Sequence, residues 1–205
     1  MARSHVDHKD IAQFAQDKVN LPKDKADEYR AQARRLREKL ETYLDEHPDF
    51  TLKKMLISGS LAKGTALRSL NDIDVACYIS GADAPKDVDA LLTYLAERLR
   101  KAFSNFSDDQ IQPQTYSVTV SFRGTGLDVD VVPILYDGDK DWYGNLVSQE
   151  DGTFLKTNIP FHLEFTRKRK AKQEKHFVQV VRLVKFWARL NKLSAVSAYG
   201  PDLRL

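Results

Sequence analysis

The chain has 205 residues, 42% of them hydrophobic and 30% charged, with a formal net charge of +3 at pH 7. That length and apolar fraction allow one substantial core with a short appended helical layer, and exclude a disordered composition. No apolar run approaches the roughly 20 residues that span a bilayer, and the polar start Met1-Ala-Arg-Ser-His-Val-Asp-His8 has no signal-peptide core, so a soluble cytoplasmic protein with no membrane association is expected.

In chain order, Asp24 to Glu46 carries Ala26, Tyr29, Ala33, Leu36, Leu40 and Tyr43 at steps of three and four. This is the stripe of an amphipathic helix, with Pro22 as its start signal and His47-Pro48 as its end. Lys54 to Ser58 reads as a short buried strand. The Gly59-Ser60 turn directly after it offers bare backbone and a hydroxyl to a phosphate. Leu61 to Ser69 allows one or two helical turns, broken at Asn71. The next strand is Ile73 to Ile79, with Cys77 as a small buried residue that has no cysteine to pair with. Asp72 and Asp74 at its beginning point to one side, because strand side chains alternate, and can share one divalent ion.

Pro85 to Phe103 places Val88, Leu91, Leu92, Leu95, Leu99 and Phe103 on one face of a second helix. Tyr116 to Phe122 and Leu127 to Leu135 read as two strands of a hairpin joined through Gly124-Thr-Gly126. Asp128 and Asp130 share one face of the second strand, where burial is costly without a cation or donors; a solvent-exposed face is the alternative. Tyr136 to Pro160, rich in Gly, Asp and Asn, reads as surface connection with little β signal after Pro133. Within it, Asp137-Gly-Asp139-Lys-Asp141 begins like a calcium loop, but Trp142 and Ser148 stand where an EF-hand requires Gly and Glu. Trp142 is open to base stacking or to packing. His5 and His8 are half a metal site with no further Cys or His nearby in sequence.

Arg167-Lys-Arg-Lys170 with Lys172 and Lys175 reads as a solvated basic face, and Arg34, Arg35 and Arg37 form a smaller cluster. Lys175 to Leu190 is predicted to be a long buried helix with Trp187 in the core. Arg182 and Lys185, three apart, share one of its faces. The order of elements fits an α/β (α+β) fold in which a mixed, mainly antiparallel sheet is flanked by helices.

Several of these segments, in this order, carry a family likeness. Gly59-Ser60-Leu-Ala-Lys63-Gly64-Thr65-Ala-Leu67-Arg68, followed by Asp72-Ile-Asp74-Val, resembles the signature of the polymerase-β-like nucleotidyltransferases. Its Lys-Gly-Thr-x-Leu-Arg detail is similar to the 2′-5′ oligoadenylate synthetases. Leu127-Asp-Val-Asp130-Val-Val-Pro133 resembles that family's third-carboxylate strand, which favours Asp130 over Asp128. Val181-Arg182-Leu183-Val184-Lys185-Phe186-Trp187 is similar to the synthetases' Arg-Leu-Val-Lys-x-Trp helix. Cyclic GMP-AMP synthase and the bacterial second-messenger nucleotidyltransferases of anti-phage defence share this framework.

The resemblance implies that Asp72, Asp74 and Asp130 are catalytic and bind two Mg2+ ions, with Mn2+ as a substitute. Gly59 and Ser60 would hold the donor triphosphate and Arg182 and Lys185 the nucleotide phosphates, with Lys63 either on a phosphate or in solvent. Thr65 and Arg68 would shape the turn and its helix. The implied activity is metal-dependent joining of nucleoside triphosphates, ATP and also GTP, into a short linear or cyclic oligonucleotide second messenger, with release of pyrophosphate. Double-stranded RNA or a protein is the implied activator. Two rivals are a minimal nucleotidyltransferase that transfers AMP to a protein, small molecule or RNA end, and a non-catalytic nucleotide- or RNA-binding module.

The expected organisation is an N-terminal helical segment over 1–48, the nucleotidyltransferase core over 49–160, and the start of a C-terminal helical domain over 161–205. Ser197-Ala-Tyr199 approximates that domain's next element, but Gly200-Pro201 breaks a helix, so the last part is expected to be incomplete.

Overall fold

Helix α1 (His8–Phe14) passes through a π-helical turn (Ala15–Val19) towards α2 (Lys23–Glu46), whose Ala26, Ala33, Leu36, Leu40 and Leu44 are buried along one stripe. In this computed structural model the described residues are 6–47, 52–70, 72–80, 84–147, 153–174 and 176–193. The expected features at His5, Pro48, Asn71, Ser148, Lys175 and 197–201 lie outside them. The second predicted helix is α4 (Val88–Ala102), capped by the Asp87 side chain on Ala90 N–H, with Leu91, Leu92, Leu95 and Leu99 buried.

The strands are β1 (Leu52–Ile57), β2 (Asp72–Ser80), β3 (Ile111–Pro113), β4 (Val118–Phe122), β5 (Leu127–Tyr136), β6 (Gly144–Val147) and β7 (Phe154–Thr157). They form one sheet in the order β1-β2-β5-β4-β3, with β6 added to β5 and β7 to β6. β2 and β5 are parallel, and the remaining pairs are antiparallel, as expected for a mixed, mainly antiparallel sheet. β6 and β7 correct the expectation of little β structure after Pro133. They are four-residue strands whose hairpin extends the far end of β5, where Ile134 pairs with Leu146.

The alternation on β2 and β5 divides the sheet into two unlike faces. Ile73, Val75, Cys77 and Ile79 of β2, with Val129, Val131 and Leu135 of β5, pack against α2 and α4 in the main core. The opposite face has a dry end, where Ala76, Tyr78 and Ile134 pack with Ile159 and with the half-buried Trp142 and Tyr136. Trp142 therefore belongs to packing, stacked on Tyr136 at 4.9 Å. This second core seats α5 (Ile159–Lys172): Tyr78 Oη accepts from Ile159 N–H at 3.1 Å and donates to the Trp142 carbonyl at 3.3 Å. The other end of that face is occupied by Asp72, Asp74, Asp128 and Asp130.

Helix α6 (Phe177–Leu190) follows, and Ala188 is its buried residue. Trp187, expected in the core, is 57% exposed together with Val180 and Val184. Steps of four and three put these on one face, while Arg182, Lys185 and Arg189 take the face turned towards the rest of the molecule. Among the described residues no helix is long and apolar enough to cross a membrane.

Candidate active site

The parallel register sets Asp72 beside Asp128 and Asp74 beside Asp130, so the two Asp-x-Asp pairs lie on adjacent strands and the same face. On the other side of β2, Ile57 of β1 pairs with Val75, and one residue on Ser58 N–H donates to the Asp74 carbonyl at 2.8 Å. This brings Gly59 against the Asp74 side chain. A Cβ on Gly59 would overlap Oδ2 and stand 2.6 Å from the carboxyl carbon, and the residue also has φ +58°, so glycine is required on two counts. The Gly59-Ser60 turn opens α3 (Gly59–Lys63), a single helical turn closed by Gly64 at φ +70°.

The carboxylates crowd one another electrostatically. Burial, then Asp72 and then Asp130, pushes Asp74 up to about 6, while Lys63 and Lys185 pull it back. Asp130 is also raised, by burial first, with Asp72 and Asp128 adding to the effect. Against this, Thr119 of β4 donates its hydroxyl to Asp130 Oδ1 at 2.5 Å, and Ser121 donates to Asp128 Oδ1 at 2.6 Å. Asp130 thus acts on Asp74, while Asp72 and Asp128 act on Asp130, so the four carboxylates form one electrostatic cluster.

A cationic wall faces the carboxylates. Lys63 and Lys185 are both lowered by burial, and Asp74 acts to raise each of them. His162 of α5 is likewise lowered by burial, with Lys63 contributing. The α6 cations also grip the loop that joins α3 to β2. Arg182 Nη2 donates to the Gly64 carbonyl at 2.8 Å, Lys185 Nζ to the Thr65 carbonyl at 3.4 Å, and Arg189 Nη1 to Ser69 Oγ at 2.6 Å. From the other side, Arg68 N–H donates to the Val19 carbonyl at 2.7 Å and its guanidinium to the Gln16 carbonyl at 2.9 Å. Arg68 thus ties the loop to the N-terminal π-helical turn.

The residues suit a divalent ion by charge: the half-buried Asp74 and Asp130, repelled by neighbouring carboxylates that include the exposed Asp72, become favourable once a cation lies between them. Among the described residues no three acidic, His or Cys side chains converge tightly enough to cage a metal alone. Mg2+ does not demand this, because it uses one or two carboxylates together with waters and substrate phosphates. The arrangement therefore fits an ion that arrives with a nucleotide.

A protein-family model described as the Second Messenger Oligonucleotide or Dinucleotide Synthetase domain matches residues 7–169. The chain belongs to this family. This synthetase domain is 70% identical over 192 residues to the cyclic AMP-AMP-AMP synthase of Escherichia coli strain MS 115-1, which covers 94% of the chain and 60% of that relative. A solved structure of E. coli MS115-1 CdnC with ATP superposes with a TM-score of 0.87 at 69% identity, covering 94% of this chain and 61% of that one. The CdnC:HORMA-deltaN complex gives 0.84 at 68% identity, covering 93% and 59%. The synthetase domain thus spans about three-fifths of the length of these relatives.

The structure brings together the predicted Gly59, Ser60, Lys63, Asp72, Asp74, Asp130, Arg182 and Lys185 from four separate elements, α3, β2, β5 and α6. Sequence reasoning missed Thr119, His162 and Arg189. Thr119 had a signal in the alternation Ser117-x-Thr119-x-Ser121, which puts hydroxyls on one face of the strand beside the carboxylates. The other two act through contacts between distant elements, which spacing does not encode.

Proposed function

We propose that this domain is a metal-dependent nucleotidyltransferase that joins ATP units, through 3′-5′ or 2′-5′ linkages, into a short cyclic oligonucleotide second messenger. The observation that carries the reading is the pairing of Asp72-x-Asp74 with Asp128-x-Asp130 in parallel register, against a cationic wall of Lys63 and Lys185. The names of the relatives support the product class and ATP, and the family supports a role in anti-phage signalling. A cytoplasmic setting is part of the same reading.

In this reading Asp72, Asp74 and Asp130 hold two Mg2+ or Mn2+ ions. When bound, such ions supply Lewis-acid stabilisation of the attacking and leaving oxygens. The chain's own groups position the reactants. The Gly59-Ser60 turn lets the donor triphosphate approach backbone closely, and Lys63, Lys185 and Arg182 neutralise its charge. Arg182 is held in place for this by the bond from its Nη2 to the Gly64 carbonyl. Asp130 serves the acceptor hydroxyl, which attacks the α-phosphorus as pyrophosphate leaves.

A protein activator related to the HORMA partner of CdnC is the regulatory reading that the comparisons favour over double-stranded RNA. The test is incubation of the chain with each labelled nucleoside triphosphate and Mg2+ or Mn2+, alone, with a HORMA protein, or with double-stranded RNA, followed by product separation. A metal-dependent, nuclease-resistant ATP product, abolished by Asp72→Ala with Asp74→Ala, is expected. Absence of metal-dependent product in all arms refutes the reading.

A further inference from the structure

The hydroxyl row on β4 has no part in the mechanism so far. Thr119 lies directly opposite Asp130 in the antiparallel β4–β5 ladder, and Ser121 directly opposite Asp128. Each hydroxyl meets Oδ1 of its partner, at 2.5 and 2.6 Å. These are charge-assisted contacts at the short end of the range for a hydroxyl and a carboxylate. We propose that Thr119 is a positioning residue for the metal site: its hydroxyl holds Oδ1 of Asp130 so that Oδ2 is presented to the ion shared with Asp74.

Three features carry the assignment. An aspartate on a strand retains rotation of its carboxyl group, and fixed hydroxyl donors restrict it, Thr119 at hydrogen-bond distance with a smaller contribution from Ser117. Thr119 is β-branched and stiff at χ1, so its hydroxyl is itself held in place. The contact also lies within the sheet, between strands whose alternate residues Val118, Val120, Val129 and Val131 are completely buried, so donor and acceptor cannot drift apart. Ser121 repeats the geometry on Asp128, which has no place in the proposed metal set, and so supplies an internal comparison.

The inference rests on the two-ion reading of Asp72, Asp74 and Asp130. Its test measures Mn2+ binding directly, from the loss of the free-ion electron paramagnetic resonance signal. The full chain is used with a non-reactive α,β-methylene ATP analogue held constant, in wild type, Thr119→Val, Thr119→Ser, Ser121→Ala and Asp130→Ala. Thr119→Val keeps the shape and removes the hydroxyl. It should weaken Mn2+ roughly 10-fold, the usual cost of losing a group that orients a metal ligand. Thr119→Ser should recover most of that loss, and Ser121→Ala should bind as wild type does.

Thermal unfolding of each variant confirms that the comparison is between folded proteins. Wild-type affinity in Thr119→Val overturns the inference, as does an equal loss in Ser121→Ala, which would mark a general loosening of the ladder. If wild type takes up no more Mn2+ than Asp130→Ala, the metal reading itself fails.

Discussion

Replacing Gly59 with alanine separates two costs that usually arrive together. The backbone at φ +58° charges an L side chain about 1–2 kcal/mol. The added Cβ also overlaps Asp74 Oδ2 and stands 2.6 Å from the carboxyl carbon. β2 is held between β1 and β5, so the strand cannot retreat and the carboxylate must swing out of its place. Gly64→Ala supplies the comparison, since φ is +70° there and an added Cβ meets nothing within 4 Å. Gly64→Ala should lose about 1–2 kcal/mol, a fall in Tm of roughly 2–8 °C for a chain of this size, and Gly59→Ala at least as much. Gly59→Ala alone should also lose turnover by on the order of 100-fold, the expected consequence of moving a catalytic group by about 1 Å. Differential scanning fluorimetry and labelled-ATP product formation with Mg2+ measure the two effects on the same samples. A folded Gly59→Ala protein that makes product at the wild-type rate refutes the reasoning, and so does a Gly64→Ala protein that loses turnover equally.

Asp74 titrates near 6 in the metal-free fold against an ordinary carboxylate value of 3.8, so the folded state binds the extra proton and stability falls as pH rises from about 4 through 6. Asp74→Asn should therefore be the more stable protein at pH 7.5 without metal, by up to about 3 kcal/mol, and catalytically dead; thermal melts from pH 5 to 7.5 that show the variant less stable at 7.5 contradict this. Tyr78→Phe leaves the N–H of Ile159 and the carbonyl of Trp142 without their hydroxyl partner and should cost about 1–3 kcal/mol in urea unfolding. Arg182→Met removes the donor to Gly64 and, on the proposed function, a positive charge that neutralises the nucleotide phosphates. It should raise KM for ATP about 10-fold or more, and an unchanged KM would assign the guanidinium to packing alone.

The long elements were legible because one period dominates each of them. Leu36, Leu40, Leu91, Leu95 and Leu99 mark α2 and α4 at helical spacing, and the runs Val75 to Ile79 and Val129 to Leu135 mark strands buried on at least one face. Helix α5 escaped for a physical reason. Ile159, Phe161, Leu163 and Phe165 alternate as a strand would, and of α5's residues only Ile159 is buried, so the pattern says little about which side meets the protein. Its start is nonetheless written in Asn158, which caps Phe161 N–H, and in Pro160 in the first turn. The carboxylates were legible from a two-residue period. The grip of Arg182, Lys185 and Arg189 on the loop was not, because it joins residues about 120 positions apart.

The two-faced alternation of β2 and β5 also acts as a form of proofreading. A slip of one residue in either strand would turn its aspartates into the packed layer beneath α2 and α4 and expel Ile73 and Val75, or Val129 and Val131, towards water. Such a chain would lose much of its core at the same step at which its carboxylates left their shared face. A misregistered copy is therefore not left as a well-folded impostor with a scattered acidic site. The apolar layer holds the fold together and, through the opposite side of the same strands, sets the spacing of the acidic site.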